Sequence, residues 1–232
     1  MTIPGPRDPG APGHAPARAL HVPIGVRAVV FDLDGLLFDT ENLWAEEELQ
    51  MLVDHGVEHV ADDRLATVGQ TIDTSVAYYA RRIGLPASAI PALRKELTER
   101  VRAAMVQRLQ PLPGAIDLVR ATARAGLPIG IASNNDKDIA LLALELAGLA
   151  DAFNVVVSAE EVERAKPAPD VYLHACAALG VAPSEALALE DSSSGITAAR
   201  AAGMLVYAVP QFAETDVSAA DRVLTSLEDL LH

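Results

Sequence analysis

The chain has 232 residues, half of them hydrophobic, and carries 18 Lys+Arg against 32 Asp+Glu for a formal net charge of -14. A chain of this length and apolarity can bury one sizeable core or two modest ones, while its acidity and the lack of a Lys/Arg block argue against nucleic acid and anionic membranes as partners. No run approaches the roughly 20 apolar residues of a membrane span, and a single cysteine rules out an intramolecular disulfide.

Residues 1–22, rich in Pro, Gly and Ala, lack the basic start and continuous apolar middle of a secretory signal. They are expected to form a disordered tail on a cytoplasmic protein. Val26–Phe31 then reads as a buried strand. About 95 residues of mostly helical periodicity follow before the next strand, where a single crossover needs about a dozen. Glu41–His55, Asp73–Ile83 and Ala87–Gln110 fit helices within that stretch. Glu46-Glu47-Glu48 is expected to be a solvated helix face rather than a metal site, because consecutive helical residues point in different directions. Trp44 reads either as packing or as a surface for stacking a ring. Pro111-Leu112-Pro113-Gly114 marks a turn back. Beyond it, Pro128–Ala132, Val155–Ser158, Leu187–Glu190 and Leu205–Val209 are short apolar runs alternating with helix-like stretches. That is the pattern of a parallel α/β sheet. A Rossmann-like parallel α/β core over residues 23–39 and 111–232, with an inserted helical cap over 40–110, is therefore expected. Cys176 falls in a helix-like segment and reads as small core filling, and His174 as a helix-surface residue. The six histidines show no zinc spacing.

Four of the apolar runs lead into polar groups. The first stops at Asp32-Leu33-Asp34, whose alternation lets both carboxylates share one site, although a solvated acidic turn would give the same pair. The second ends in Ser133-Asn134-Asn135, suited to phosphate oxygens and equally to helix capping. After the third comes Lys166, whose backbone is constrained by Pro167 and Pro169, so that it can serve as a fixed counter-charge. The fourth run ends in Glu190-Asp191 before Ser192-Ser193-Ser194-Gly195, and hard oxygen ligands of this kind suit Mg²⁺.

In this order the four segments resemble the haloacid dehalogenase-like superfamily of aspartyl-phosphate hydrolases, over nearly the whole chain from Val26 onward. The resemblance implies Asp32 as nucleophile, Asp34 as general acid/base, and Ser133 and Lys166 on the transferring phosphoryl group; the Asn134 amide and the Trp44 ring are further candidate substrate contacts by their own chemistry. It also implies Mg²⁺ held by the Asp32 carboxylate, the Asp34 main-chain carbonyl and Asp191, with Glu190 as a further or water-mediated ligand. Asp-Gly-Leu-Leu-Phe-Asp-Thr-Glu and Lys-Pro-x-Pro-Asp-x-Tyr look most like the sugar-phosphate phosphatase and β-phosphoglucomutase branch. A mutase-like cap carries a histidine twelve residues after the nucleophile, where this chain has Trp44. It also carries a Gly-x-Ser-Arg stretch, where this chain has Gly69-Gln70-Thr71-Ile72-Asp73, and an acid there would repel a distal phosphate. A monomeric Mg²⁺-dependent phosphatase acting on a small phosphorylated metabolite is the expected function. A phosphosugar mutase is the alternative, followed by a non-catalytic phospholigand-binding relative.

Overall fold

Val29, Phe31, Ile129, Ile131, Leu187 and Leu189 alternate with Ala, Gly or Val along three short runs, so each run has one bulkier face and one flatter face. In the computed structural model, which describes residues 18–232, these runs form the centre of a six-stranded parallel sheet. Its strands are β1 (Ala28–Phe31), β2 (Ile129–Ser133), β3 (Val155–Ser158), β4 (Ala186–Glu190), β5 (Leu205–Ala208) and β6 (Arg222–Val223), in the order β3-β2-β1-β4-β5-β6. Val29 lies opposite both Ile129 and Leu187, which aligns the bulky rows of the three central strands. The chain builds outward from β1 through β2 to β3, then returns to the other side of β1 with β4. Such a reversal opens a crevice at the carboxyl ends of the central strands.

The bulky row packs with α5 (Ala115–Arg124) and α6 (Lys137–Leu146), whereas the flat row of Ala28, Val30, Ala186 and Ala188 packs with α7 (Asp170–Leu179) and α8 (Ser193–Ala201). Small residues on both sides, Ala175, Ala198 and Ala199 among them, let α7 and α8 approach the sheet closely. Each large apolar side chain buried in this way contributes on the order of 1.5–3 kcal/mol. Cys176 lies within the α7 layer, 3.9 Å from the Met204 sulfur, and His174 is exposed.

Between β1 and β2 the chain inserts α1 (Thr40–Asp54), α2 (Ala61–Thr67), α3 (Ile72–Ile83) and α4 (Ile90–Arg108). The Thr71 hydroxyl accepts from the Thr74 N–H and starts α3; Gly84, at φ 81°, ends it. Leu43, Met51, Val76, Tyr79, Leu97 and Val101 belong, with Leu36, Leu37 and Phe38, to the same buried apolar cluster as the sheet's bulky row. The insertion therefore shares one apolar core with the sheet. Arg94 clamps Asp136 through two 2.8 Å contacts, and Arg102 reaches Asp138, tying α4 to the start of α6 beside the crevice.

Two elements were not expected. Helix α2 is two polar turns, too short to show an apolar period, and β6 is a two-residue edge strand. Of the tail expected over 1–22, residues 1–17 lie outside the described residues. Residues 18–22, by contrast, run along the C-terminus, with Leu20 bridging Leu231 in antiparallel fashion and Ala19 exchanging backbone hydrogen bonds with His232. Among the described residues no helix is long and apolar enough to cross a membrane.

Candidate active site

Pairing with β4 continues one residue past β1, because the Asp32 N–H donates to the Leu189 carbonyl at 2.9 Å. This fixes Asp32 on the floor of the crevice. Lys166 reaches it from the loop after β3, with Nζ 2.5 Å from Asp32 Oδ1 and 2.5 Å from Glu190 Oε1, and its side chain is only 2% exposed. The loop is held by Asn134, whose Oδ1 accepts from the Lys166 N–H at 3.0 Å and whose Nδ2 donates to the Lys166 carbonyl at 3.4 Å. Glu190 is fixed in turn. Beyond Lys166 it accepts from the Tyr172 hydroxyl at 2.6 Å, from the N–H groups of Asp191 and Ser192, and from the Ser192 hydroxyl. Gly195 is a glycine because a Cβ there would fall inside the Glu190 carboxylate.

Asp34 lies beyond Asp32 and turns to different partners. Its Oδ1 accepts from Thr40 at 2.6 Å, and its Oδ2 from Ser133 at 3.2 Å and from the Asn135 amide at 2.8 Å. Both acids line one pocket. Ser133 is fully buried and its hydroxyl faces Asp34, accepting meanwhile from the Asn135 N–H, so it is not part of the pocket wall. All four polar segments expected from the sequence thus converge, with Ser133 set behind Asp34.

Asp32, Glu190 and Asp191 each offer an oxygen within 4.8 Å of the others, while the Asp34 carboxylate stands outside that group. Asp191 Oδ1 is buried without a partner among the described residues, and a Cβ on Gly35, which turns at φ 79°, would collide with the other Asp191 oxygen. Three buried carboxylates against one ammonium leave negative charge that the protein alone does not offset. A hard divalent cation fits this donor set. Glu190 is saturated by its five donors, so Asp32 and Asp191 are the open ligands. Burial pushes Asp32 and Asp191 well above the usual carboxylate range, each repelled further by the other acids, and Lys166 pulls against this. Burial likewise raises Asp34, opposed by the hydrogen bonds from Thr40, Asn135 and Ser133. Burial alone would lower Lys166, but its two carboxylate partners outweigh that and leave it raised.

The pocket opens to solvent, with Asp32, Asp34 and Lys166 on the sheet side and residues of α1–α3 on the other. Trp44 lines it, with its indole N–H buried and without a partner among the described residues. Two expectations about the helical side are corrected. Glu46 and Glu47 do face outward onto Arg108, but Glu48 turns inward and is buried, since each helical step rotates the side chain by about 100°. Asp73, expected to repel a distal phosphate, is paired outside the pocket with Arg94, and its side chain is 77% exposed. The adjacent Ile72 lines the wall instead.

Sequence reasoning also missed Glu41 and Arg64, both of which line the pocket. Burial, with Asp34 and Glu48 nearby, pushes Glu41 up to about 8. Arg64 donates to Asn42 at 2.9 Å and lies 5.5 Å from the centroid of the Phe212 ring. No apolar period marks α2, and so nothing pointed to Arg64. Tyr172 did have a signal, standing in the Lys-Pro-x-Pro-Asp-x-Tyr stretch.

Residues 29–209 match the model of the haloacid dehalogenase-like hydrolases. The chain is 35% identical over 226 residues to hexitol phosphatase B of Escherichia coli (strain K12), covering 91% of this chain and 100% of that one. It is 31% identical over 176 residues to fructose-1-phosphate phosphatase YqaB of the same strain, covering 76% and 92%. Its fold is similar to that of CbbY from Rhodobacter sphaeroides in complex with phosphate, at TM-score 0.80 and 28% identity over 88% of this chain and 96% of that one. The matched span runs from β1 to just past β5, and so takes in both acids on β1's end, the helical insertion, the buried lysine and the saturated Glu190: the chain belongs to the haloacid dehalogenase-like hydrolase family.

Proposed function

We propose that this phosphoric monoester hydrolase acts on a small sugar phosphate or sugar-alcohol phosphate, with Asp32 as nucleophile and a divalent metal, Mg²⁺, as cofactor. The observation that carries this reading is Lys166 held at 2.5 Å from both Asp32 and Glu190 beside the unpartnered oxygen of Asp191. The named activities of the hexitol and fructose-1-phosphate phosphatases support the sugar-phosphate class.

The Asp32 carboxylate attacks phosphorus, forming an acyl phosphate as the ester P–O bond breaks. Asp34 gives its proton to the departing alkoxide, which leaves as the alcohol. Water then attacks the acyl phosphate, returning a proton to Asp34 as the bond to Asp32 breaks and inorganic phosphate departs. Such acid/base assistance contributes about 10²–10⁴ in rate. Thr40, Ser133 and Asn135 hold Asp34 in place, and Lys166 stabilises charge building on the phosphoryl oxygens. Mg²⁺, held by Asp32 and Asp191 with Glu190 anchoring the lysine beside them, supplies further positive charge when bound. Residues 40–110 act as a cap that shields the reacting centre from bulk water and carries substrate contacts.

Hydrolase and mutase differ in what empties the acyl phosphate. Phosphorus NMR on β-glucose 1-phosphate, with a catalytic amount of glucose 1,6-bisphosphate and Mg²⁺, separates them. Inorganic phosphate should accumulate in step with dephosphorylated sugar. Conversion to glucose 6-phosphate with little free phosphate would overturn the hydrolase reading.

A further inference from the structure

Glu48 has no part in the chemistry above, yet it lines the same pocket and is only 4% exposed. Its Oε2 accepts from the Thr67 hydroxyl at 2.9 Å and from the Tyr79 hydroxyl at 3.0 Å. Among the described residues it forms no ion pair, and the basic side chain on this part of the wall, Arg64, is turned to Asn42 and Phe212. Folding does not explain a carboxyl here. Burying one without a cation is costly, an apolar side chain would extend the neighbouring cluster of Leu43, Met51 and Leu52, and the Thr67 and Tyr79 hydroxyls, 3.3 Å apart, could satisfy each other. Ser75, also buried, adds a third hydroxyl to the same wall. A polar group kept in a pocket against its own desolvation cost has its use when a ligand arrives. On the sheet side Asp32 and Lys166 take the phosphoryl end, so the helical side faces the organic end of the substrate.

We propose that Glu48, oriented by Thr67 and Tyr79, hydrogen-bonds hydroxyl groups on the organic part of the substrate and makes the enzyme select polyhydroxylated phosphate monoesters over deoxygenated ones. This rests on the phosphatase reading given above. The physical basis is asymmetric: a site built to pair with a substrate hydroxyl rejects an analogue lacking it, because the buried polar group is then left unpaired. Gln should keep most of the selectivity, since its amide still accepts from Thr67 or Tyr79 and pairs with a hydroxyl, whereas Met of similar length should lose it.

The test compares sorbitol 6-phosphate with n-hexyl phosphate, which has the same carbon count and no free hydroxyls. Phosphate release is followed in the full-length wild type, Glu48→Gln and Glu48→Met. The wild type should favour sorbitol 6-phosphate in kcat/KM by at least about tenfold. Glu48→Met should lower that ratio by about 10-fold or more through KM, and Glu48→Gln by less than about threefold. Both substrates are measured on one preparation, so any unfolded fraction cancels in the ratio. If Glu48→Met does not fold, Glu48→Leu, which likewise leaves the Thr67 and Tyr79 hydroxyls to pair with each other, is read in the same way. Equal turnover of the two esters by the wild type, or an unchanged ratio in the Met variant, overturns the assignment of Glu48 and leaves the phosphatase reading standing. No phosphate release from either ester or from p-nitrophenyl phosphate, with Mg²⁺ present, overturns the phosphatase reading and this inference with it.

Discussion

Gly195 sets two expectations against each other. It stands in the first turn of α8, where replacing glycine with alanine ordinarily stabilises a helix by about 1 kcal/mol. Here the new Cβ would overlap all three carboxylate atoms of Glu190, a fully buried side chain with no room to retreat. Glu190 accepts from Lys166 Nζ at 2.5 Å, from Tyr172 at 2.6 Å and from three donors at the start of α8. Hydrogen bonds involving a charge contribute about 1.5–3 kcal/mol each. Losing the Lys166 and Tyr172 contacts would therefore cost about 3–6 kcal/mol, leaving a net destabilisation of about 2–5 kcal/mol after the helical gain. For a chain of this size each kcal/mol moves Tm by about 2–4 °C, so Gly195→Ala should melt about 4–20 °C lower. Activity should fall further than stability, because Lys166 loses one of its two anchors beside Asp32. A displacement of about 1 Å at a reacting centre costs on the order of 10²-fold in rate. Calorimetric melting and kcat for phosphate release, both with saturating Mg²⁺, decide the matter. A Tm at or above wild type with kcat within twofold would show that the Glu190 carboxylate is neither clamped nor needed where it is.

Asp32→Asn should keep the fold and lose turnover, since an amide cannot attack phosphorus; wild-type turnover, with deamidation excluded by mass spectrometry, would overturn the nucleophile assignment. EDTA should silence the enzyme and Mg²⁺ restore it, while Ca²⁺ should fail because its looser coordination misplaces the attacking carboxylate; full activity after exhaustive chelation would sink the metal. A third expectation concerns stability against pH. Hydrogen bonds from Arg82, at 2.6 and 3.1 Å, and from Tyr78 at 2.7 Å overcome burial and hold Asp63 down to about 2. A carboxylate depressed on folding adds stability that is fully present above its unfolded value of about 3.9 and is lost as pH falls through the folded one. The Tm gap between wild type and Asp63→Asn should therefore be wide at pH 6 and close between about pH 4 and 2. A gap that does not change with pH would show that the carboxylate's charge contributes nothing to holding the cap helices together.

The sheet side of the site was legible because few variables place it. A strand alternates with period two, an open parallel sheet reverses direction beside its first strand, and the residues ending β1, β2 and β4 therefore meet without further assumptions about packing. Asp32, Asp34, Glu190 and Asp191 come together for that reason, whereas Lys166 arrives on the loop after β3 and is held there by Asn134; the parallel α/β fold with helices inserted after β1 follows from the same spacing. What the pattern did not carry is which atoms face which. Ser133 bonds to Asp34 because β2 lies directly beside β1, and Gly195 matters because of Glu190, five residues earlier in sequence and on another element.

The helical side was harder for a reason that is also physical. On a helix the side-chain direction turns by about 100° per residue, so a phase error of one position exchanges a wall residue for a solvated one. Ile72 and Asp73 differ by one such step, and the phase is set by Thr71, whose hydroxyl starts α3. Glu47 and Glu48 differ by one step as well, and α1 buries Thr40, Leu43, Ala45, Glu48, Met51 and Leu52 on a stripe whose polar members hide its period. Phase errors at such helices fall on the residues that meet the organic part of a substrate, while the strand ends that meet its phosphate are immune to them. Reading sequence alone therefore reaches the reaction before it reaches the substrate, and the substrate must be sought among inward-turned polar residues of the helices, Glu48 among them.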